Sequence, residues 1–287
     1  ALYNRLNKDY IITGSGRSKS LIKKNYFTLD LTRSTEINVF SEQSKKCDVL
    51  IFLVGLAHKK GKKRDLDEFR NVNKNTLINL IESLKKYNNL PPKIIFASTI
   101  SVYGEKMNKN IYNEDSNKKP FSPYAITKLE AEDYLLDNFK EQTWILRFAP
   151  VYAPNFQLNI NRRTMVRGFF YRIGNGSSKL SLCNMENIIS VIHNIIEDKV
   201  PNGIYNISDK KDYDYNDLLR HAQKKWVIQV PNLLIKWLYY FGNMMNNIFI
   251  KENSTKLISD NVFPSKKIRK YIKLPFTLDD LSQEKKR

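Results

Sequence analysis

Thr99, Tyr124 and Lys128 are the residues of this chain whose types and spacing can do chemistry. A tyrosine and a lysine four residues apart on a helix project from one face, so an ammonium can sit beside a phenol and lower its pKa. A phenol of ordinary pKa about 10 is a poor base near neutrality. Lys128 is the cation placed to make Tyr124 a usable acid/base, and Thr99 supplies a hydroxyl to orient a substrate oxygen.

The neighbouring residues say which elements must carry these groups. Lys93-Ile94-Ile95-Phe96-Ala97 is an apolar, β-branched run ending at Ser98-Thr99, which predicts a buried strand with Thr99 at its C-terminal edge. Ser122-Pro123 predicts a helix start, with serine as N-cap and proline in the first turn, so that Tyr124 lies one residue further in. Apolar runs at 10–13, 26–30, 48–55, 93–98 and 143–148 alternate with helical stretches. That alternation predicts an α/β fold with a Rossmann-like, doubly wound parallel sheet. After Val151 the order becomes irregular, with helices expected over 159–172, 185–198 and 214–225 among short strands. The expected organisation is a dinucleotide-binding domain at 1–150 and a smaller substrate lobe at 151–287, with segments exchanging between them.

Three motifs stand in order: Ser98-Thr99-Ile100-Ser101-Val102-Tyr103-Gly104, then Pro123-Tyr124 with Lys128, then Leu146-Arg147-Phe148-Ala149-Pro150-Val151-Tyr152-Ala153-Pro154. With them the chain resembles, over nearly its whole length, the extended short-chain dehydrogenase/reductases of the NAD-dependent epimerase/dehydratase family. The resemblance implies catalytic roles for Thr99, Tyr124 and Lys128 and a nicotinamide cofactor, NADP or NAD. It places Asp30 and Leu31 beside the adenine, Leu53, Val54 and Gly55 along the cofactor, and Asn73 facing the same cleft. Tyr124, Lys128, Pro150 and Val151 complete the implied cofactor contacts. At the end of the second strand, where NAD enzymes of this class place an acid, stand Gly16-Arg17-Ser18; the guanidinium of Arg17 suits a 2′-phosphate and favours NADP.

Dehydratases of the family follow the catalytic threonine with an Asp-Glu pair. Ile100 and Ser101 occupy those positions, which disfavours dehydration and leaves C4 epimerisation or reduction of a 4-keto sugar. The resemblance implies a nucleotide-sugar substrate, a UDP-linked hexosamine of surface-polysaccharide biosynthesis, touched by Thr99, Asn159 and Arg163. Leu180 stands where relatives carry a diphosphate-binding arginine, leaving Lys179 as its substitute.

The start of the chain departs from the pattern. A dinucleotide-binding sheet should open with a strand and Gly-x-x-Gly-x-x-Gly, whose backbone amides hold the pyrophosphate. No such motif is present, and 1–6 is expected to be the end of the first helix. The expectation is therefore that the first strand, glycine loop and half-helix lie outside this sequence; the alternative is a chain that binds no dinucleotide. The segment 265–278 resembles the family's terminal helix and closing turn, with an essentially complete C-terminus expected.

The 287 residues carry 48 Lys and Arg against 29 Asp and Glu, a formal charge of +19. Such a balance raises a rival reading, a catalytically degenerate basic protein that binds nucleic acid or an anionic surface. The cations are dispersed, however, and the dense run Lys59-Lys60-Gly61-Lys62-Lys63-Arg64 is accompanied by no recognised nucleic-acid module. Cys47 and Cys183 have no zinc or redox spacing, and His58, His193 and His221 are scattered, so no metal site is expected. A reduced, cytoplasmic homodimer is the expected state. The apolar stretch 233–250 is short for a membrane span and interrupted by Lys236 and several asparagines. It is expected to be a packed helix or one lying at a subunit or membrane interface.

Overall fold

The computed structural model describes residues 2–18, 25–57, 65–104, 110–222 and 226–284. Its first half runs α1 (Leu2–Leu6), β1 (Gly14–Gly16), β2 (Tyr26–Thr28), α2 (Ser34–Gln43), β3 (Val49–Phe52), α3 (Leu66–Arg70), α4 (Thr76–Lys86), β4 (Lys93–Thr99), β5 (Asn110–Ile111), α5 (Pro123–Phe139) and β6 (Thr143–Phe148). A π-helical turn, Asn71–Asn75, joins α3 to α4. The second half follows as β7 (Val151–Tyr152), α6 (Leu158–Thr164), β8 (Met165–Val166), β9 (Phe169–Ile173), β10 (Cys183–Asn184), α7 (Met185–Ile196), β11 (Gly203–Ile207) and α8 (Tyr215–His221). It ends with β12 (Ile228–Val230), α9 (Asn232–Met244), α10 (Ile248–Ile258), β13 (Asn261–Val262) and α11 (Leu278–Glu284).

The main sheet has the order β11-β6-β4-β3, all parallel, with Ile94 opposite Thr143 and Thr99 opposite Phe148. Alternate residues of its strands face opposite cores. Ile95, Trp144 and Leu146 join Val191, Ile192 and Ile195 of α7 on one side. Ile94, Phe96 and Ile145 join Ile37, Leu77, Ile81 and Leu135 of α2, α4 and α5 on the other. Coverage of both faces explains why these strands read as continuous apolar runs, and it makes the sheet doubly wound. β1 and β2 form a separate parallel pair, with Gly14 opposite Tyr26. That pair shares a core with the main sheet through Leu29 and Leu31. β11 comes from the second half of the chain, yet it extends the main sheet. Smaller sheets, β10-β7, β12-β9-β8 and β13-β5, organise the remainder.

Local chemistry moves several elements from their expected positions. Residues 10–13 are not a strand, because Tyr10 turns aside to α7: its hydroxyl donates to Glu197 Oε1 at 2.5 Å and lies 2.9 Å from His193 Nδ1. The parallel pairing starts at Gly14 instead. The helix expected over 159–172 stops at Thr164, since Arg167 and Gly168, both at positive φ, turn the chain into the antiparallel β8-β9 hairpin. Phe169, Phe170 and Tyr171 suit that strand better than a helix. α8 stops at His221, and 265–271 holds only the short 3-10 turn Ile268–Lys270. His58 and the basic run 59–64 lie outside the described residues.

Candidate active site

β4 ends by turning sharply. Thr99 caps the 3-10 turn Ile100–Tyr103 by accepting a hydrogen bond from the Ser101 N–H at 3.2 Å. Gly104 closes that turn at φ 68, where a Cβ would stand 1.9 Å from the Lys119 carbonyl oxygen, so the close approach requires glycine. Across the sheet edge Ser122 caps α5, with Pro123 in its first turn. The side chains of Tyr124 and Thr99 are thereby brought near one another.

Burial pushes Tyr124 up to about 12, against the opposing effect of the nearby Thr99 hydroxyl. At neutral pH the phenol is protonated, ready to donate. This departs from the expectation that Lys128 lowers it. The Lys128 side chain, only 2 % exposed, runs under the strand ends and donates to the carbonyls of Ala97 at 2.8 Å and Val54 at 3.0 Å. Desolvation brings its ammonium down to about 7, with the charge of Glu132 acting the other way. Gly55 gives this lysine room: a Cβ there would press to 3.3 Å on Cε and Nζ.

Glu132 belongs to the site although no motif marks it. It lies four residues beyond Lys128 on α5 and is fully buried with Arg147, whose guanidinium it binds at 2.7 Å. Ser98 donates to the same carboxylate. Arg147 also donates to Tyr103 Oη at 2.9 Å and to the Glu114 carbonyl at 3.1 Å, and Tyr103 donates to Asn206 Oδ1 at 2.6 Å. One buried polar network thus ties the first and third sequence motifs to α5, the helix that carries the second. The repeated four-residue spacing of Tyr124, Lys128 and Glu132 is the signal that could have revealed it.

The other expected contacts divide. Asn73, fully buried in the π-helical turn, accepts from the Leu56 N–H at 2.6 Å and donates to Thr127 at 3.0 Å, fastening the chain after β3 onto α5. Leu53 and Val54 lie at that same strand end, Leu53 exposed and Val54 packed on the core. Pro150 and Val151 follow β6, and Asn159 donates to the Val151 carbonyl at 2.8 Å. Leu31 is buried. Asp30 accepts from Thr32, and those hydrogen bonds hold its carboxyl below the usual range, aided by the charges of Arg17 and Arg33. Arg17 and Asp30 therefore stand together at the β1-β2 end.

A small cleft is lined by Ser101 and Ser122, which lie two residues from Thr99 and Tyr124 along the chain, with Phe121, Glu252, Thr255 and Lys256. Arg163 donates to the Lys256 carbonyl at 2.9 Å, which brings it to the cleft wall. Lys179 is held by Asp214 at 3.0 Å, at the start of α8. The α10 residues of this wall escaped sequence reasoning, because they lie far along the chain and carry no motif. Among the described residues no cluster of three or more His, Cys, Asp or Glu is arranged to hold a metal, and no helix is long and apolar enough to cross a membrane.

A nicotinamide dinucleotide fits one end of this arrangement. Tyr124 presents a hydroxyl at the strand ends, where doubly wound sheets take ligands, with the Lys128 ammonium buried behind it against the Val54 and Ala97 carbonyls. Among the described residues, no glycine-rich turn from strand to helix offers itself to a pyrophosphate.

The model of the NAD dependent epimerase/dehydratase family matches residues 2–208. A Bacillus subtilis (strain 168) protein named as an uncharacterized UDP-glucose epimerase, YtcB, is 44% identical over 63 residues, 21% of this chain and 19% of that protein. A UDP-glucuronic acid 4-epimerase from Bacillus cereus, solved with UDP-glucuronic acid and NAD, is 19% identical with a TM-score of 0.71, covering 98% of this chain and 92% of its own. The ADP-L-glycero-D-manno-heptose-6-epimerase of Helicobacter pylori superposes with a TM-score of 0.73 at 14% identity, over 99% and 90% of the two chains. L-threonine dehydrogenase from Clostridium difficile gives 0.71 at 18%, over 99% and 91%. At these identities the structural likeness establishes the fold.

Proposed function

Because the chain belongs to the NAD-dependent epimerase/dehydratase family, a family of epimerase and oxidoreductase enzymes, we propose that it is an NAD(P)-dependent epimerase or 4-keto reductase acting on a nucleotide sugar. The observation that carries this reading is the neighbouring Thr99 and Tyr124 side chains at the end of β4, with Lys128 buried behind them. The nicotinamide supplies the hydride chemistry. Thr99 orients the sugar oxygen, and Tyr124 passes a proton at its phenol oxygen. Lys128, its ammonium brought down to about 7 by burial, fastens α5 to the strand-end carbonyls of Ala97 and Val54 and so positions the helix that presents Tyr124. Ile100 is buried in the core and Ser101 opens on the cleft, so neither supplies the carboxylates an elimination would use.

The substrate in this reading is a UDP-linked hexosamine, its diphosphate facing Arg163 and the cleft wall of α10, and the pathway is surface-polysaccharide synthesis. Asn159 and Lys179 belong to the same proposed set, as does a homodimer, which sedimentation velocity checks. The division into 1–150 and 151–287 is likewise our reading. It is supported by the change from one large parallel sheet to several small ones, with β11 and α7 crossing back to the first part.

The test is turnover of a panel of UDP-sugars by the full protein with NAD or NADP, followed by chromatography of the products. Tyr124→Phe is expected to lower turnover by about 10²–10⁴-fold while leaving the fold intact. Unchanged turnover in that variant would remove Tyr124 from the chemistry. We further infer a preference for NADP through Arg17. Arg17→Ala is then expected to weaken NADP binding about tenfold and leave NAD binding unchanged, as for loss of one charge-assisted contact. Equal losses for both cofactors would overturn that preference.

A further inference from the structure

α9 is apolar on two sides. Inward, Ile235 packs with Tyr171, Ile173 and Tyr215, and Leu238 lies against them. Gly242 lets α10 approach so closely that a Cβ there would meet Ile250 Cγ2 at 2.8 Å. Outward, Leu233, Trp237, Tyr240 and Met244 recur at helical spacing and are 78%, 59%, 63% and 75% exposed. Trp226, 92% exposed, precedes the helix along the chain, and Phe249, 45% exposed, follows it. Scattered exposed apolar residues are ordinary, but a contiguous row on a helix whose other side is already packed marks a contact face.

The chemistry of the face selects its occupant. Between Arg220 and Glu252 the sequence contains no acidic residue, whereas Lys236 and Lys251 stand on the α9–α10 hairpin. A second copy would bring this acid-free, lysine-bearing face against itself and place like charges together. An anionic bilayer supplies the complementary charge, and the whole chain, at +19, is attracted to it. Trp and Tyr side chains, apolar with one polar edge, suit the headgroup level. α9 has 13 residues, too short for the roughly 20 of a membrane span, so it lies along the surface.

We propose that the outer face of α9 docks the protein on an anionic lipid surface, with Leu233, Trp237, Tyr240 and Met244 at the boundary of headgroups and acyl chains. The inner side of the same hairpin carries Thr255 and Lys256 into the cleft, so docking brings the cleft wall to the membrane. This inference does not depend on the identity of the sugar.

The experiment is co-sedimentation of the full chain with vesicles of phosphatidylcholine alone or mixed with phosphatidylglycerol, together with tryptophan emission. Binding to the mixed vesicles, a blue shift, and at least about tenfold weaker binding by a Trp237→Ser/Met244→Ser variant of unchanged circular dichroism are expected. Absence of binding to the mixed vesicles overturns the proposal. So does equal binding by the variant, which would assign the attraction to dispersed charge. Conversion of a dimer to a monomer by the variant, in light scattering without lipid, would give the face to a second copy and overturn it as well.

Discussion

Lys128 is the residue on which the site's energetics concentrate. Its ammonium is removed from water and given two carbonyls, and desolvation lowers it to about 7. Unfolded, the same group titrates near 10.4. Between those values the unfolded chain binds more protons than the native one, so this lysine's cost to stability is full below about pH 7 and fades as pH rises toward 10. Against Lys128→Met, the wild type is expected to be less stable by a few kcal/mol, on the order of the shift at about 1.36 kcal/mol per unit, at pH 6. The gap should narrow by pH 9.5. Urea unfolding of both proteins at the two pH values checks this, and parallel curves would show that Lys128 carries no such penalty. The same variant is expected to lose activity, since a methionine cannot fasten α5 to the carbonyls of Ala97 and Val54.

Between elements, Arg147 is the joint. Its guanidinium on β6 holds Glu132 on α5 and Tyr103 beyond β4, while Ser98 holds Glu132 from β4 itself. The helix that presents Tyr124 and Lys128 is therefore fixed to the strand that presents Thr99. Arg147→Met leaves Glu132 buried without its counter-charge, which is expected to cost about 3–5 kcal/mol in chemical denaturation. A paired change, Arg147→Met with Glu132→Leu, should recover much of that loss, because neither charge then stays buried alone. Activity is expected to remain low in the double variant if the network aligns Tyr124 with Thr99. A fully active double variant would make the network dispensable for alignment.

Across the whole molecule, the parallel sheet is in two pieces. β3, β4, β6 and β11 form one continuous ladder, whereas β1 and β2 pair only with each other, over three residues each. Short strands with a partly exposed ladder open at lower free energy than a sandwiched sheet. Native-state hydrogen exchange is expected to show amides of β1 and β2 exchanging at least about tenfold faster than those of β4 and β6. In the proposed reading, with a cofactor at Arg17 and Asp30, its addition should raise protection in the pair, since a ligand stabilises what it binds. Equal protection in the two pieces before any ligand is added would mean that they open as one cooperative unit.

The sequence by itself determined what depends on near neighbours along the chain. The apolar run ending at Thr99, the Ser122-Pro123 helix start, and the placing of Tyr124 and Lys128 on one helix are matters of periodicity and capping, and the structure has them at those positions. The helix expected to continue through 172 was illegible for the same kind of reason reversed: Arg167 and Gly168 adopt a left-handed turn that hydrophobic period does not report. Only the tertiary structure decided the partners of the side chains. Whether Lys128 meets the phenol or the carbonyls of Val54 and Ala97 depends on how two strand ends and a helix meet in space. The Glu132–Arg147–Tyr103 network and the Thr255–Lys256 wall of the cleft likewise join residues brought together by chain path rather than spacing. Burial fixes those choices, because a charge taken out of water must find whatever polar group the packed chain places beside it.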